Sequence, residues 1–332
     1  MSNIRTIAER AGVSVTTVSR VLNDHPYVSE EKRLAVKRVI DELQYTKNIN
    51  AVHLVKGQTY MIGVILPYVN HPYYNQIIEG IAKEALLHGY KLVICQTNYQ
   101  VDKEKEALEM LKVKQVDGLI ICSRESDWAI IESYERFGPI VMCEEAKDRL
   151  VSSVYINHYD GFKLGMEYFI SKGHTSIGCC LARPNSENSK KRRNAYQDVL
   201  QQVDIKDRED WVFYGCLTIE DGEGVAEKLF QMGDRPEALL VSSDQVAAGI
   251  ITKSQQLGMN VPEDLSVIGF DNHPISRALG ITTIEHPGLE MGQKAFTQIY
   301  KQIVQKESSS DHELSFQLIE RHSVCNKAER SE

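Results

Sequence analysis

The spacing of apolar residues changes near residue 60. Before it they recur every three to four positions; after it short unbroken apolar runs alternate with helical stripes. Ile4, Ile7, Ala8 and Ala11 share one face of a predicted first helix. Asn3 stands where its side chain can cap the free backbone N–H groups. Gly12 stands where that helix must stop, because glycine accepts the left-handed conformation of a helix end. Ser14 is placed to cap a second helix over Val15–Leu22, with Val18 and Val21 inward and Val15, Thr16, Ser19 and Arg20 outward. Ser29 is expected to cap a third helix over 30–43, with Glu30 and Glu31 in the first turn, where the helix dipole favours acids. Val36, Val39, Ile40 and Leu43 form its apolar face.

Beyond Gly57 the pattern predicts strands at 62–66, 91–95, 118–122 and 140–143, separated by helices at 74–88, 103–112 and 128–137. It restarts with helix 161–172, strand 176–181, helix 191–201, strand 211–214, helix 222–232, strand 238–242, helix 245–257 and strand 266–270. Apolar strands alternating with helices imply right-handed βαβ units and doubly wound parallel sheets, here as two Rossmann-like halves. Ligands in such sheets bind beyond the carboxyl ends of the strands, which in a two-part core is the cleft between the halves.

Charge sharpens this division. The net charge of −8 argues against a nucleic-acid partner only if it is spread evenly. Residues 1–60 hold 9 Lys/Arg against 6 Asp/Glu; the remainder holds 29 against 40. A mildly basic head on an acidic body suits a DNA reader whose body stays off DNA, and the modest head charge points to a homodimer. No apolar run approaches the ~20 residues that span a bilayer. The polar start carries no signal-peptide core, so a cytoplasmic protein is expected. The seven cysteines, without C-x-x-C spacing, read as small buried hydrophobes in a reducing compartment, with a redox sensor as the alternative. No G-x-G-x-x-G follows the first strand, and there is no P-loop, nucleophile elbow or H-E-x-x-H spacing. Neither an enzyme, a cofactor nor a metal site is expected.

The first three helices read as a helix-turn-helix, whose second helix enters the major groove of double-stranded DNA. Short Val15, Thr16 and Ser19 side chains permit close approach to base edges, and Arg20 can reach a guanine or a phosphate.

Ala11-Gly12-Val13-Ser14, Thr17-Val18-Ser19-Arg20-Val21-Leu22-Asn23, Val28-Ser29 and Leu43 with Tyr45 and Asn48 resemble the headpiece of the LacI/GalR family of bacterial transcription regulators. Later segments resemble that family's core, which is similar to periplasmic sugar-binding proteins. They include Val116-Asp117-Gly118-Leu119-Ile120, Ser243-Asp244 and the run from Leu265 to Asp271. The resemblance implies a headpiece over residues 1–46, a hinge helix and linker over 47–59, and an α/β effector-binding and dimerisation core over 60–332. Within the core it implies one subdomain at about 60–158 and 288–317 and another at about 159–287 and 318–332.

By the same resemblance, Val15, Thr16 and Arg20 read bases and Asn48 belongs to the DNA-contacting set. Leu54 is the hinge leucine wedged into the minor groove, unless it is an ordinary linker residue. Lys47 and Ile49 depart from the family pattern. The implied effector residues are Tyr73, Glu144, Arg192, Leu217, Ser243 and Asp271, with Leu217 and Ser243 departing from the usual aromatic and asparagine. The run Lys190-Lys191-Arg192-Arg193 is either a solvated helix face or the sign of an anionic ligand such as a phosphorylated sugar. The function implied is a dimeric regulator, expected to be a repressor in carbon-source or catabolite control, reading a pseudopalindromic operator. Its small-molecule effector is a sugar or sugar phosphate, or its co-effector is a phosphorylated carrier protein docked on the core. A solute-binding protein without a DNA role is the alternative of a different class, and the headpiece argues against it.

Overall fold

The computed structural model describes residues 3–45 and 57–327. The chain divides into two compact units, Met1–Thr59 and Tyr60–Glu332. Most of the expected hinge, including Asn48 and Leu54, falls outside the described residues.

The first unit is three helices around Ile7, Val18, Val21, Val36 and Val39. α1 (Ile4–Ala11) starts at Asn3, whose Oδ1 accepts from the N–H groups of Arg5 (2.9 Å) and Thr6 (3.0 Å). It stops at Gly12, at φ +63°, with the Val13 N–H donating back to the Ala8 carbonyl at 3.0 Å. α2 (Val15–Leu22) is capped by Ser14, whose Oγ accepts from Thr17 N at 3.2 Å. α3 (Glu30–Glu42) follows Ser29. Here the expectation fails in detail, because Ser29 stands at the cap position but its side chain makes no cap hydrogen bond. Glu30 and Glu31 are left to complement the helix start.

The second unit holds two six-stranded sheets. The first sheet contains β1 (Met61–Leu66), β2 (Lys91–Gln96), β3 (Gly118–Ile121), β4 (Ile140–Met142), β5 (Ser152–Tyr155) and β11 (Asp311–Glu313), in the order β11-β5-β4-β3-β1-β2. The second contains β6 (Ile177–Cys180), β7 (Val212–Phe213), β8 (Ala238–Val241), β9 (Ser266–Asp271), β10 (Thr282–Glu285) and β12 (Leu318–Ile319), in the order β12-β10-β9-β8-β6-β7. Every pairing is parallel except β10 with β12. The connecting helices are α4 (Pro72–Leu87), α5 (Val101–Lys112), α6 (Trp128–Glu135), α7 (His158–Ser171), α8 (Glu187–Gln202), α9 (Ile219–Gln231), α10 (Asp244–Gln256) and α11 (Pro274–Ala278). The chain leaves the first sheet after β5 and returns to it along α12 (Gly288–Gln305). It then sends β11 to the first sheet and β12 to the second. Strands such as β3 and β8 are buried along their whole length, which is why they read as unbroken apolar runs.

α12 lies on α4 and across β3, β4 and β5. The helices meet backbone to backbone at Gly80 and Gly292. A Cβ on Gly80 would lie 2.1 Å from the Leu289 carbonyl oxygen, and one on Gly292 2.1 Å from that of Ile77. The apolar pattern did not predict β5, α11, β10, α12, β11 or β12.

Candidate functional site

In the first unit, α2 presents Val15, Thr16 and Arg20 to solvent and leaves Ser19 half-buried. The Ser14 cap fixes the start of this helix, and Val18 and Val21 fix its rotation by filling the core. Its outward face therefore carries Val15, Thr16 and Arg20 of the four expected positions, with Ser19 at its edge.

In the second unit the strand ends of both halves surround one cavity of about 660 Å³, counting its open mouth. All six expected effector residues line it. Tyr73 comes from the first turn of α4, Glu144 follows β4, Arg192 is on α8, Leu217 follows β7, Ser243 follows β8 and Asp271 ends β9.

The floor is polar and buried. Asp271 has an unusual φ of +109°, a strained conformation of the kind that gathers at functional sites. Its carboxyl makes no hydrogen bond among the described residues, and its nearest ring nitrogen is His286 Nδ1 at 3.7 Å. Burial pushes its pKa up to about 8, with Arg192 pulling the other way. Arg192 lies over the Phe270 ring at 4.6 Å, and its Nη2 meets His158 Nδ1 at 3.2 Å, while Nε has no partner among the described residues. Burial lowers its pKa and Asp271 opposes that. His286 is held neutral by burial, at about 3, and neither ring nitrogen has a hydrogen-bond partner among the described residues. Behind Asp271, Asp244 Oδ1 accepts from Thr283 Oγ1 (2.6 Å) and Oδ2 from His273 N (2.7 Å), tying α10 to the end of the sheet.

The walls are partly committed. Glu144 accepts from Ser123 Oγ at 2.7 Å, and burial raises its pKa. Ser243 caps α10 by accepting from Val246 N, which leaves its proton free to donate. One side of the Tyr73 ring meets His286 at 4.6 Å, and its hydroxyl points to Met291 Sδ at 3.9 Å. This aromatic is therefore packed more tightly than a free stacking platform. His71, whose Nδ1 accepts from Tyr73 N, is pushed down to about 4 by burial.

The basic run 190–193 does not converge on the cavity. Lys190 pairs with Glu187 at 2.9 Å, Lys191 with Glu145, and Arg193 with Asp207 (2.8 Å) and Glu209 (2.7 Å). Arg192 alone of the four lines the pocket. Sequence reasoning missed Tyr99, Ser123, His158, Arg183 and His286, which also line it. Ser123 and Arg183 lie just beyond ends of predicted strands, so the strand-end rule could have found them. His286 follows β10, a strand the pattern did not reveal.

Comparison with known proteins places both units. The model for bacterial regulatory proteins of the lacI family matches residues 3–48, and that for periplasmic binding proteins and the sugar-binding domain of the LacI family matches residues 59–322. The chain is 45% identical over 324 residues to the uncharacterized HTH-type transcriptional regulator YkvZ of Bacillus subtilis, covering 98% of this chain and all of that one. It is 39% identical over 299 residues to catabolite control protein B of the same organism, covering 90% and 94%. Among solved structures, the lac repressor dimer bound to operator and the anti-inducer ONPF superposes with a TM-score of 0.83 at 26% identity, covering 98% and 99%.

Proposed function

The chain belongs to the LacI family of bacterial regulatory proteins and is a DNA-binding transcriptional regulator, not an enzyme. From that premise we propose that it is a cytoplasmic homodimer that represses carbon-source genes under control of a neutral, hydroxyl-rich ligand. In this reading α2 reads a pseudopalindromic operator through Val15, Thr16, Ser19 and Arg20. Asn48 and Leu54 contribute from the hinge, as the family resemblance implies. The headpiece is taken as 1–46, the hinge and linker as 47–59 and the core as 60–332. The core is taken as one part at about 60–158 and 288–317 and another at about 159–287 and 318–332. The likeness to catabolite control protein B supports the carbon-source setting.

The observation that carries the ligand class is the Asp271 carboxyl, without a hydrogen bond among the described residues, facing Arg192 and His286 in a buried floor. A hydroxyl can donate to Asp271 and a neighbouring one can accept from Arg192, so a polyol satisfies both at once. A phosphate would lie beside the Glu144 carboxyl, with three of the four bases on α8 already engaged and Arg183 committed to Glu125. A stacked nucleobase is disfavoured because His286 covers one side of Tyr73 and Leu217 supplies no second ring. Leu217 and Ser243, the two departures from the family pattern, line the same cavity, so they do not require a docked carrier protein.

Selection of random duplex DNA by the full-length protein at fixed salt tests the first part, since phosphate contacts make affinity salt-dependent. A pseudopalindrome is expected. Operator affinity is then titrated with glucose and ribose, their phosphorylated forms, and phosphorylated carrier protein. The reading requires a shift with a neutral sugar; a shift with only the phosphorylated sugars or the carrier protein would overturn it.

A further inference from the structure

The mouth of the cavity is bridged from one half of the core to the other. Arg183, in the turn after β6 of the second half, reaches the loop after β3 of the first. Its Nη2 donates to the Arg124 carbonyl at 3.2 Å, and its Nη1 pairs with the Glu125 carboxylate. The guanidinium lies 3.5 Å from the centre of the Tyr99 ring. A second bridge runs beside it, from Lys191 on α8 to Glu145 beyond β4. Both bridges place a cation of the second half on an acid of the first.

The receiving surface is already fixed. Glu104, buried on α5, accepts from the backbone N–H groups of Glu125 and Ser126 through its two oxygens, at 2.7 Å each. Arg124 donates to the Ser126 carbonyl at 2.7 Å and lies over the Trp128 ring at 4.0 Å. Tyr99 is held through its hydroxyl by Tyr74 at 2.9 Å. Arg183 therefore meets a rigid seat, and little ordering entropy opposes the contact. A planar guanidinium suits that seat because it can stack on a ring and form two directed hydrogen bonds, which a lysine cannot do.

We propose that Arg183, assisted by Lys191, is a latch that holds the cleft shut over the cavity before a ligand arrives and so gates ligand entry. Its importance for regulation rests on the cavity being the effector site. The latch itself does not, and it is measured without any ligand. A ligand must wait for the two bridges to open, and one that then contacts both halves stabilises the shut form further.

Two cysteines, Cys122 and Cys216, line the cavity, while Cys179 and Cys325 are buried elsewhere in the core. The neighbouring Cys180 thiol holds the Cys216 thiol below its ordinary range, which favours the thiolate that reacts. The test is the rate of N-ethylmaleimide labelling of each cysteine in the full-length protein, read by peptide mass spectrometry. Arg183→Ala should accelerate labelling of Cys122 and Cys216 at least fivefold, and adding Lys191→Ala should accelerate it further, with Cys179 and Cys325 unchanged. Glu125→Gln, which breaks the main bridge from the other side, should act in the same direction. Raising salt should accelerate the cavity thiols of the wild type but not those of the double variant. Unchanged rates at Cys122 and Cys216 in these variants overturn the latch. So does equal acceleration of all four cysteines in both Arg183→Ala and Glu125→Gln, because that is general loosening of the fold. If the cavity thiols speed up but no sugar shifts operator affinity, the latch stands and the effector assignment falls.

Discussion

Replacing Asp271 by Asn should change how the stability of the core depends on pH. Asp271 is 8% exposed, makes no hydrogen bond among the described residues and is pushed up to about 8 by burial. In the unfolded chain the same carboxyl titrates near ~3.9. Above pH 4 the unfolded chain has released this proton while the folded core retains it. The contribution is therefore fully present below pH 4 and lost as pH rises toward 8, at roughly 1.4 kcal/mol per pH unit. Between pH 5 and 7.5 the ceiling for this one group is about 3 kcal/mol by that linkage. Asp244, also pushed to about 8 by burial and then by Asp271, adds a slope of the same sign that weakens when its neighbour is neutral. His158 and His286 act oppositely: burial lowers both, so their contribution is lost as pH falls below ~6.5. The difference between Asp271→Asn and wild type isolates the acid. Urea denaturation at half-unit pH steps measures it, followed by the fluorescence of the two tryptophans, Trp128 in the first half of the core and Trp211 in the second. The variant should gain on the wild type by roughly 1 kcal/mol or more per pH unit between pH 5 and 7.5. Parallel curves would refute the assignment of a buried, protonated acid on the cavity floor.

Four other substitutions follow from the geometry. Gly80→Ala forces a methyl against the α12 backbone at Leu289 and Gln293, and should lower core stability by about 1–3 kcal/mol, seen as a lower urea midpoint at unchanged slope. Ser14→Ala removes a cap bond and should destabilise the headpiece by about 1 kcal/mol, whereas Ser29→Ala should cost only a few tenths, the two being compared by thermal melting. Arg20→Ala should weaken operator binding by roughly 1–3 kcal/mol at fixed salt, with discrimination relaxed at one base pair; equal losses on specific and random DNA would make Arg20 a phosphate contact.

The headpiece was readable because its signals are local. A period of 3.6, two capping side chains and one glycine stop act within a few residues of each other. Ser29 shows the limit, since residue type marks a cap position but cannot say whether the hydroxyl turns toward the helix. Strands buried on both faces were readable as apolar runs. β5 was not, because its buried Ser152 and Ser153 are satisfied by Gln302 and Asp311, about 150 residues away. β10 hides in the same way: its buried Thr283 donates to Asp244 on α10. β11 and β12 are two or three residues long and held by backbone pairing, which leaves no period. α12 is different. Met291, Ala295, Phe296, Ile299 and Ile303 repeat at helical spacing, so the sequence does carry the signal of this helix.

The six expected cavity positions were legible from strand ends and family resemblance, but the charge of the cavity was not. Four consecutive bases look like one cationic patch in a linear sequence. On a helix successive residues turn by about 100°, so four of them face nearly every direction and only one can point into a given cleft. That one is Arg192. Glu187, in the first turn of α8, takes Lys190 at i,i+3, whereas Glu145, Asp207 and Glu209 come from segments on either side of the helix, and no local pattern announces those three. Once they are assigned, the buried floor holds one guanidinium facing the carboxyl of Asp271, with Glu144 on the wall. Arg183, which also lines the cavity, is committed to Glu125, so among the described lining residues Arg192 is the guanidinium left for a ligand. What remains to be satisfied is an unpaired acceptor, an unpaired donor and an imidazole with two vacant nitrogens, and vicinal hydroxyls match that set without changing its charge.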